Sequence, residues 1–251
     1  MRLGRVFLGF FVLWLLLDRS AAMLESMRGE WGVAIAAMVV IAAVLVEFLI
    51  SKRKPIAALK ALGLRKPNVG ALMWTLVLCA ALLCVFPAYS MMTGEEIRVR
   101  PDAAVLALGM FAQGGIAEET VFRGFLFRHV REGRPFWRAA LIASVPFIAV
   151  HALLFLTMAF PVALMALLVS LSISFPLAWL YERSGNSIWP PAILHAVVQG
   201  AIKVVETENF AALAAAWMVV ATLAPWVLFF LKAEQPPHPV SWPLPPKGGE
   251  G

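Results

Sequence analysis

Residues 31–50 read WGVAIAAMVVIAAVLVEFLI, a run in which Glu47 carries the only charge. A helix that spans a bilayer needs about 20 largely apolar residues, and this run meets that length with nothing polar before its inner end. Glu47 is placed where a carboxylate would snorkel towards the membrane surface. Seven further apolar runs follow the same reading once the chain is cut at its charged and Pro/Gly-rich breaks. They are Leu3 to Leu17, Gly70 to Met92, Ala103 to Ala117, Ala139 to Met158, Pro161 to Tyr181, Ser187 to Val204 and Phe210 to Leu231. The fold class expected is all-α, a polytopic membrane bundle of about eight transmembrane helices.

Composition agrees with that class. The chain has 251 residues, of which 61% are apolar and 14% charged, against about 45–50% and about 25% in soluble domains. Its mean hydropathy is +0.83, too high for the polar surface that a water-soluble core requires. Secreted, fibrous and disordered classes are thereby excluded. The net charge of +6 does not indicate nucleic acid, because the basic residues lie between hydrophobic runs without interleaved aromatics. Cys79 and Cys84 stand five apart in one apolar run and make neither a disulfide framework nor a zinc knuckle.

The first run also has features of a signal peptide: Arg2 and Arg5 precede it and Ser20-Ala21-Ala22 follows it. Asp18 and Arg19 stand between the apolar stretch and that motif, so a retained helix is preferred. The fourth run is short but gains length if its helix continues to Phe127. With the N-terminus inside, sixteen Lys and Arg fall in inner segments and five in outer ones. Cytoplasmic loops are enriched in both residues, so both termini are expected on the cytoplasmic side of an inner membrane. Residues 1–232 then form an integral membrane domain, and the proline-rich residues 233–251 a disordered tail.

Ionisable groups inside apolar runs cost roughly 2.5–3.5 kcal/mol each on insertion scales and need partners or a wet cavity. At the inner end of the fourth run stand Glu118 and Glu119, followed by Arg123. On a helix Glu119 and Arg123 are four apart in the order that favours an ion pair, while Glu118 is rotated by about 100° towards another neighbour. Glu119 and Arg123 therefore read as support and Glu118 as general base or acid. His151 lies in the fifth run after Pro146. In the seventh run His195 and Gln199 share one face. A carboxylate with two imidazoles can hold and deprotonate a water, and an amide can donate to a developing oxyanion. Gly185-Asn186-Ser187 ahead of Pro190 and Pro191 is a turn whose Asn186 or Ser187 can cap the seventh helix.

The run Glu118-Glu119-Thr120-Val121-Phe122-Arg123-Gly124-Phe125-Leu126, then Phe147 with His151, then Ser187-Ile188-Trp189-Pro190 leading to His195, resembles the CPBP family. These are CAAX-protease and bacteriocin-processing intramembrane endopeptidases, the Rce1-type relatives. The resemblance covers about 103–200, with the motifs in order. It implies that Glu118 activates the hydrolytic water, that His151 and His195 help to position it, and that Glu119 and Arg123 support Glu118. The family usually has Asn four residues after the second histidine as oxyanion donor, where this chain has Gln199. No cofactor is expected; zinc held by Glu118, His151 and His195 is the alternative.

The reaction expected is hydrolysis of a peptide bond near the cytoplasmic membrane face, because Glu118 lies close in sequence to the arginine-rich loop. The partners expected are a membrane protein or peptide substrate and the lipid bilayer, with no nucleic acid. A transporter or proton relay would also place Glu and His in a bundle, but should show an internal repeat or paired broken helices, and the sequence has no repeat. A catalytically silent self-immunity or scaffold protein is the third reading.

Overall fold

The computed structural model describes residues 2–23 and 28–231. The sequence-based expectations for Lys232 and for the tail at 233–251 lie outside the described residues. The chain begins with α1 (Arg2–Met23), α2 (Arg28–Ser51), α3 (Pro55–Ala61), α4 (Val69–Leu83) and α5 (Val85–Thr93). A two-residue strand β1 (Arg98–Val99) leads to α6 (Ala103–Met110). From there the helix continues without a break through a π-helical segment (Phe111–Ala117), Glu118 and Glu119, a second π segment (Thr120–Phe127) and α7 (Arg128–Arg131). Next come α8 (Phe136–Ala152), a 3-10 turn (Leu153–Leu156), α9 (Phe160–Arg183) and α10 (Trp189–Gly200). A second 3-10 turn (Ala201–Val204), β2 (Val205–Glu206), α11 (Phe210–Leu223) and a 3-10 segment (Ala224–Phe229) complete it.

The protein is a helical, multi-pass membrane protein. Among the described residues, six helices are long and apolar enough to cross a membrane: Leu3–Met23, Gly29–Ser51, Val69–Thr93, Phe136–Leu156, Phe160–Arg183 and Phe210–Phe229. The fourth and seventh sequence runs differ from these. The fourth is the composite helix from Ala103 to Arg131, which does continue past Phe127, and the seventh is the short α10. Each belongs to one of two apolar clusters. One cluster joins α1, α2, the composite helix and α8 through Leu13, Val39, Phe125 and Phe147. The other joins α4, α9, α10 and α11 through Leu82, Leu177, Leu194 and Trp217.

Glycines set how closely the composite helix is approached. A Cβ on Gly32 of α2 would lie 2.3 Å from the Gly109 carbonyl oxygen, and one on Gly124 would lie 2.0 Å from the Leu62 oxygen. Neither distance tolerates a side chain, so bare backbone is what lets these helices meet.

The connections sort to two ends. At one end Ile188 N–H donates to Gly63 O (3.0 Å), Asn68 N–H to Ser184 O (2.9 Å) and Ser187 Oγ to Arg65 O (2.8 Å), while Arg131 pairs with Glu182. This end holds the arginine-rich connections. At the other end β1 pairs antiparallel with β2, Arg98 opposite Glu206, and Glu95 accepts from Thr207 Oγ1 at 3.0 Å. Arg65, Arg131 and Arg134 thus lie at one end, and Arg98 and Arg100 at the other.

Two local expectations are corrected. Asn186 does not cap α10; it takes a left-handed φ of 60° in the turn, a conformation that Asn tolerates better than most residues. Ser187 Oγ accepts from Trp189 N–H at 3.4 Å. Glu47 does not snorkel. It is fully buried, 2.6 Å from Arg128 Nη2 and 3.0 Å from His129 Nε2. The reason is topological: Arg128 and His129 follow the fourth run at the same end of the bundle, so the carboxylate finds a cation inside the protein and has no need of water.

Candidate active site

Glu118 and Glu119 lie at the junction of the two π segments. The widened turns of such segments often coincide with functional sites. Glu119 is completely buried. Its Oε1 accepts from Arg123 Nη1 at 2.9 Å and lies 2.7 Å from His195 Nδ1. Arg123 is also buried, with its guanidinium carbon 4.8 Å from the centre of the Phe147 ring. Behind it lies a cavity of about 10 Å³ lined by Phe122, Phe127, Ser144, Phe147 and Ser174. Glu118 retains 21% side-chain exposure, with Oε2 3.8 Å from His195 Nε2.

His195 therefore stands between two consecutive carboxylates. An ionised carboxylate only accepts hydrogen bonds, so the short contact to Glu119 puts a ring proton on Nδ1 and turns Nε2 towards Glu118. His151 obeys the same rule: its Nδ1 is 2.8 Å from the Phe147 carbonyl oxygen, which can only accept. Phe147 separates the two imidazoles, with ring centroids 4.7 Å from His151 and 6.1 Å from His195. Both histidines thus donate through Nδ1.

Gln199 follows His195 by one turn on α10 and packs on the composite helix at Gly114. A Cβ built there would lie 1.5 Å from Gln199 Nε2, so the missing side chain at 114 is the space that Gln199 occupies. The neighbouring Gly115 admits the Ala192 carbonyl, which a Cβ would meet at 2.8 Å. Trp217, which the sequence did not single out, fixes the end of α10 by donating from Nε1 to Val198 O at 3.0 Å. Carbonyls in the last helical turn lack intrahelical donors, so this bond fills a vacancy next to Gln199. An indole in an apolar run gives no sequence signal that separates this role from lipid contact.

Glu118, Glu119, Arg123, His151, His195 and Gln199 all come from the composite helix, α8 and α10. The depth at which they gather differs from the sequence reading. His151 is the penultimate residue of α8 and Gln199 of α10, and both helices start at the arginine-rich end. Glu118 lies midway along the composite helix, several turns from Arg131. These side chains therefore lie several helical turns from Arg131, deeper in the bundle than their closeness in sequence to the arginine-rich loop suggested. Among the described residues, no three His, Cys, Asp or Glu side chains converge as metal ligands. His195 Nδ1 is engaged by Glu119 and His151 Nδ1 by a carbonyl, the same outer contacts that hold histidines binding a metal through Nε2.

The buried Glu119–His195 pair, with Glu118 beside it, lies inside an apolar helix bundle. Residues 100–201 match the family model described as Rce1-like, type II CAAX prenyl endopeptidase Rce1-like, a match that supports a CPBP/CAAX-protease family. The matched stretch runs from just after β1 to the end of α10 and contains every residue of the site. No curated protein and no solved structure matches the chain.

Proposed function

We propose that the chain hydrolyses a peptide bond of a membrane protein or membrane-associated peptide within the bilayer, with Glu118 as the base. The observation that carries this reading is the placing of Glu118 Oε2 at 3.8 Å from Nε2 of His195. A gap of that length suits a bridging water better than a direct bond. Glu118 takes one proton from that water, and its oxygen attacks the scissile carbonyl carbon. Nε2 of His195 accepts the second water hydrogen and so orients the attack, with His151 assisting through its own Nε2. The Gln199 amide donates to the oxyanion as the C–O bond forms. Collapse of the tetrahedral intermediate breaks the C–N bond, and the proton held by Glu118 passes to the leaving amine. No step requires a cofactor.

Glu119 and Arg123 act through His195: they hold its tautomer and its ring. The enzyme is placed in an inner membrane with both termini cytoplasmic, a reading supported by the gathering of basic loops at one end. The test is Glu118→Gln, a substitution close in shape that cannot take a proton. The variant should fold with an unchanged melting temperature in detergent and lose cleavage of an identified substrate. Near-normal turnover by the glutamine variant would remove Glu118 from the role of base.

A further inference from the structure

Between Arg138 and Glu182 the chain contains no Asp, Glu, Lys or Arg. This interval includes the α8–α9 turn, which lies at the same end of the bundle as β1 and β2. Those strands and their flanks carry Glu95, Glu96, Arg98, Arg100, Asp102, Glu206 and Glu208, as a segment in water should. The α8–α9 turn instead exposes Leu153 (49%), Leu156 (81%), Met158 (43%), Phe160 (66%) and Val162 (55%). Two connections at one end of one bundle thus differ sharply in chemistry.

Length gives an independent measure. From Arg138, α8 rises about 21 Å to Ala152 at about 1.5 Å per residue, and the 3-10 turn adds about 8 Å. The total of about 29 Å, shortened further by an ordinary tilt, does not exceed a hydrocarbon core of about 30 Å. Backbone groups in lipid must find partners within the protein. Here Thr157 N–H (3.1 Å) and Met158 N–H (2.8 Å) both donate to Leu154 O, and Ala163 N–H donates to Ala159 O at 3.1 Å. Pro161, in the first turn of α9, removes one more donor.

We infer that the α8–α9 turn is a lipid-inserted tip, whose partner is the acyl-chain region of the leaflet on the β1–β2 side. His151, one turn before the tip, then marks the lipid-facing edge of the site, which deepens the proposed function by giving a bilayer-embedded chain a direct approach to it. The tip itself does not depend on that function, and its test makes no use of activity.

In a background with Cys79→Ala and Cys84→Ala, single cysteines are placed by Leu156→Cys, Met158→Cys and Glu96→Cys. The variants are reconstituted in phosphatidylcholine vesicles opened to both faces and treated with a charged maleimide. A thiol in lipid forms little thiolate and does not meet the reagent. Leu156→Cys and Met158→Cys should react at least about tenfold more slowly than Glu96→Cys and reach its rate once detergent is added. A bimane on Leu156→Cys should be quenched by lipid carrying a nitroxide on its acyl chain. Equal labelling of the tip and Glu96→Cys in intact vesicles, or no quenching, overturns the inference whether or not the protein proves to be a peptidase.

Discussion

His195 offers Nδ1 to Glu119 at 2.7 Å and turns Nε2 to Glu118 at 3.8 Å, so neighbouring carboxylates of one helix address opposite nitrogens of a single ring. The division of labour between two chemically identical side chains follows from that geometry. In the proposed mechanism the glutamate that is sealed and paired on both sides orients the imidazole, and the one left partly open moves the proton.

Loss of the sealed partner should therefore cost fold and rate together. Glu119→Gln removes the charge that compensates Arg123 and permits the other His195 tautomer. Breaking a buried pair from one side costs about 3–5 kcal/mol, and Arg123→Ala should fall in the same range. Thermal unfolding in detergent measures this directly. Unchanged melting by both variants would mean that the pair contributes nothing to the fold.

Gly114 supplies a second way to perturb Gln199. Gln199→Ala should lower the rate constant of cleavage by about 10²-fold or more, the scale of one lost oxyanion donor, with substrate affinity little changed. Gly114→Ala puts a methyl where Gln199 Nε2 now lies and should produce the same kinetic defect while every polar group of the site is still present. Full single-turnover activity in both variants would make Gln199 a packing residue.

The close helix crossings predict a graded glycine series. Gly124→Ala and Gly32→Ala drive a methyl into carbonyl oxygens at 2.0 and 2.3 Å and should each destabilise by about 1–3 kcal/mol, the usual cost of overpacking. Gly4→Ala meets nothing within 4 Å and should leave melting unchanged or slightly raised, since alanine is the better helix former.

Orientation is checked by reporter fusions. Those after Lys66 and Arg134 should report cytoplasm, and one after Gly94 the opposite side. A non-cytoplasmic signal from the Arg134 fusion would invert the bundle and, with it, the leaflet assigned to the α8–α9 tip.

Much of this was legible in the chain because the bilayer makes polar groups conspicuous. The ordered motifs around Glu118, Arg123, His151 and His195 were visible because each interrupts an apolar run. The depth of the site was not, since distance from Glu118 to the arginine-rich loop was read along the sequence and the π-helical continuation through Phe127 carries that loop away. Glu47 was misread for a related reason. A charge at the end of one run shows its cost but not its partner, and the partner lies in another helix. Gln199 could be placed on a face, whereas the vacancy at Gly114 that receives it depends on a helix crossing.

The Glu47–Arg128 contact also imposes an order of events during synthesis. The two residues are 81 positions apart, and translation proceeds at about 5–20 residues per second. For roughly 4–16 s, therefore, α2 exists with its carboxylate made and its arginine not yet polymerised. During that interval Arg53, 3.6 Å from Glu47 in the fold, is the cation already made. The contact with Arg128 can close only once the helix that bears Glu118 has been made.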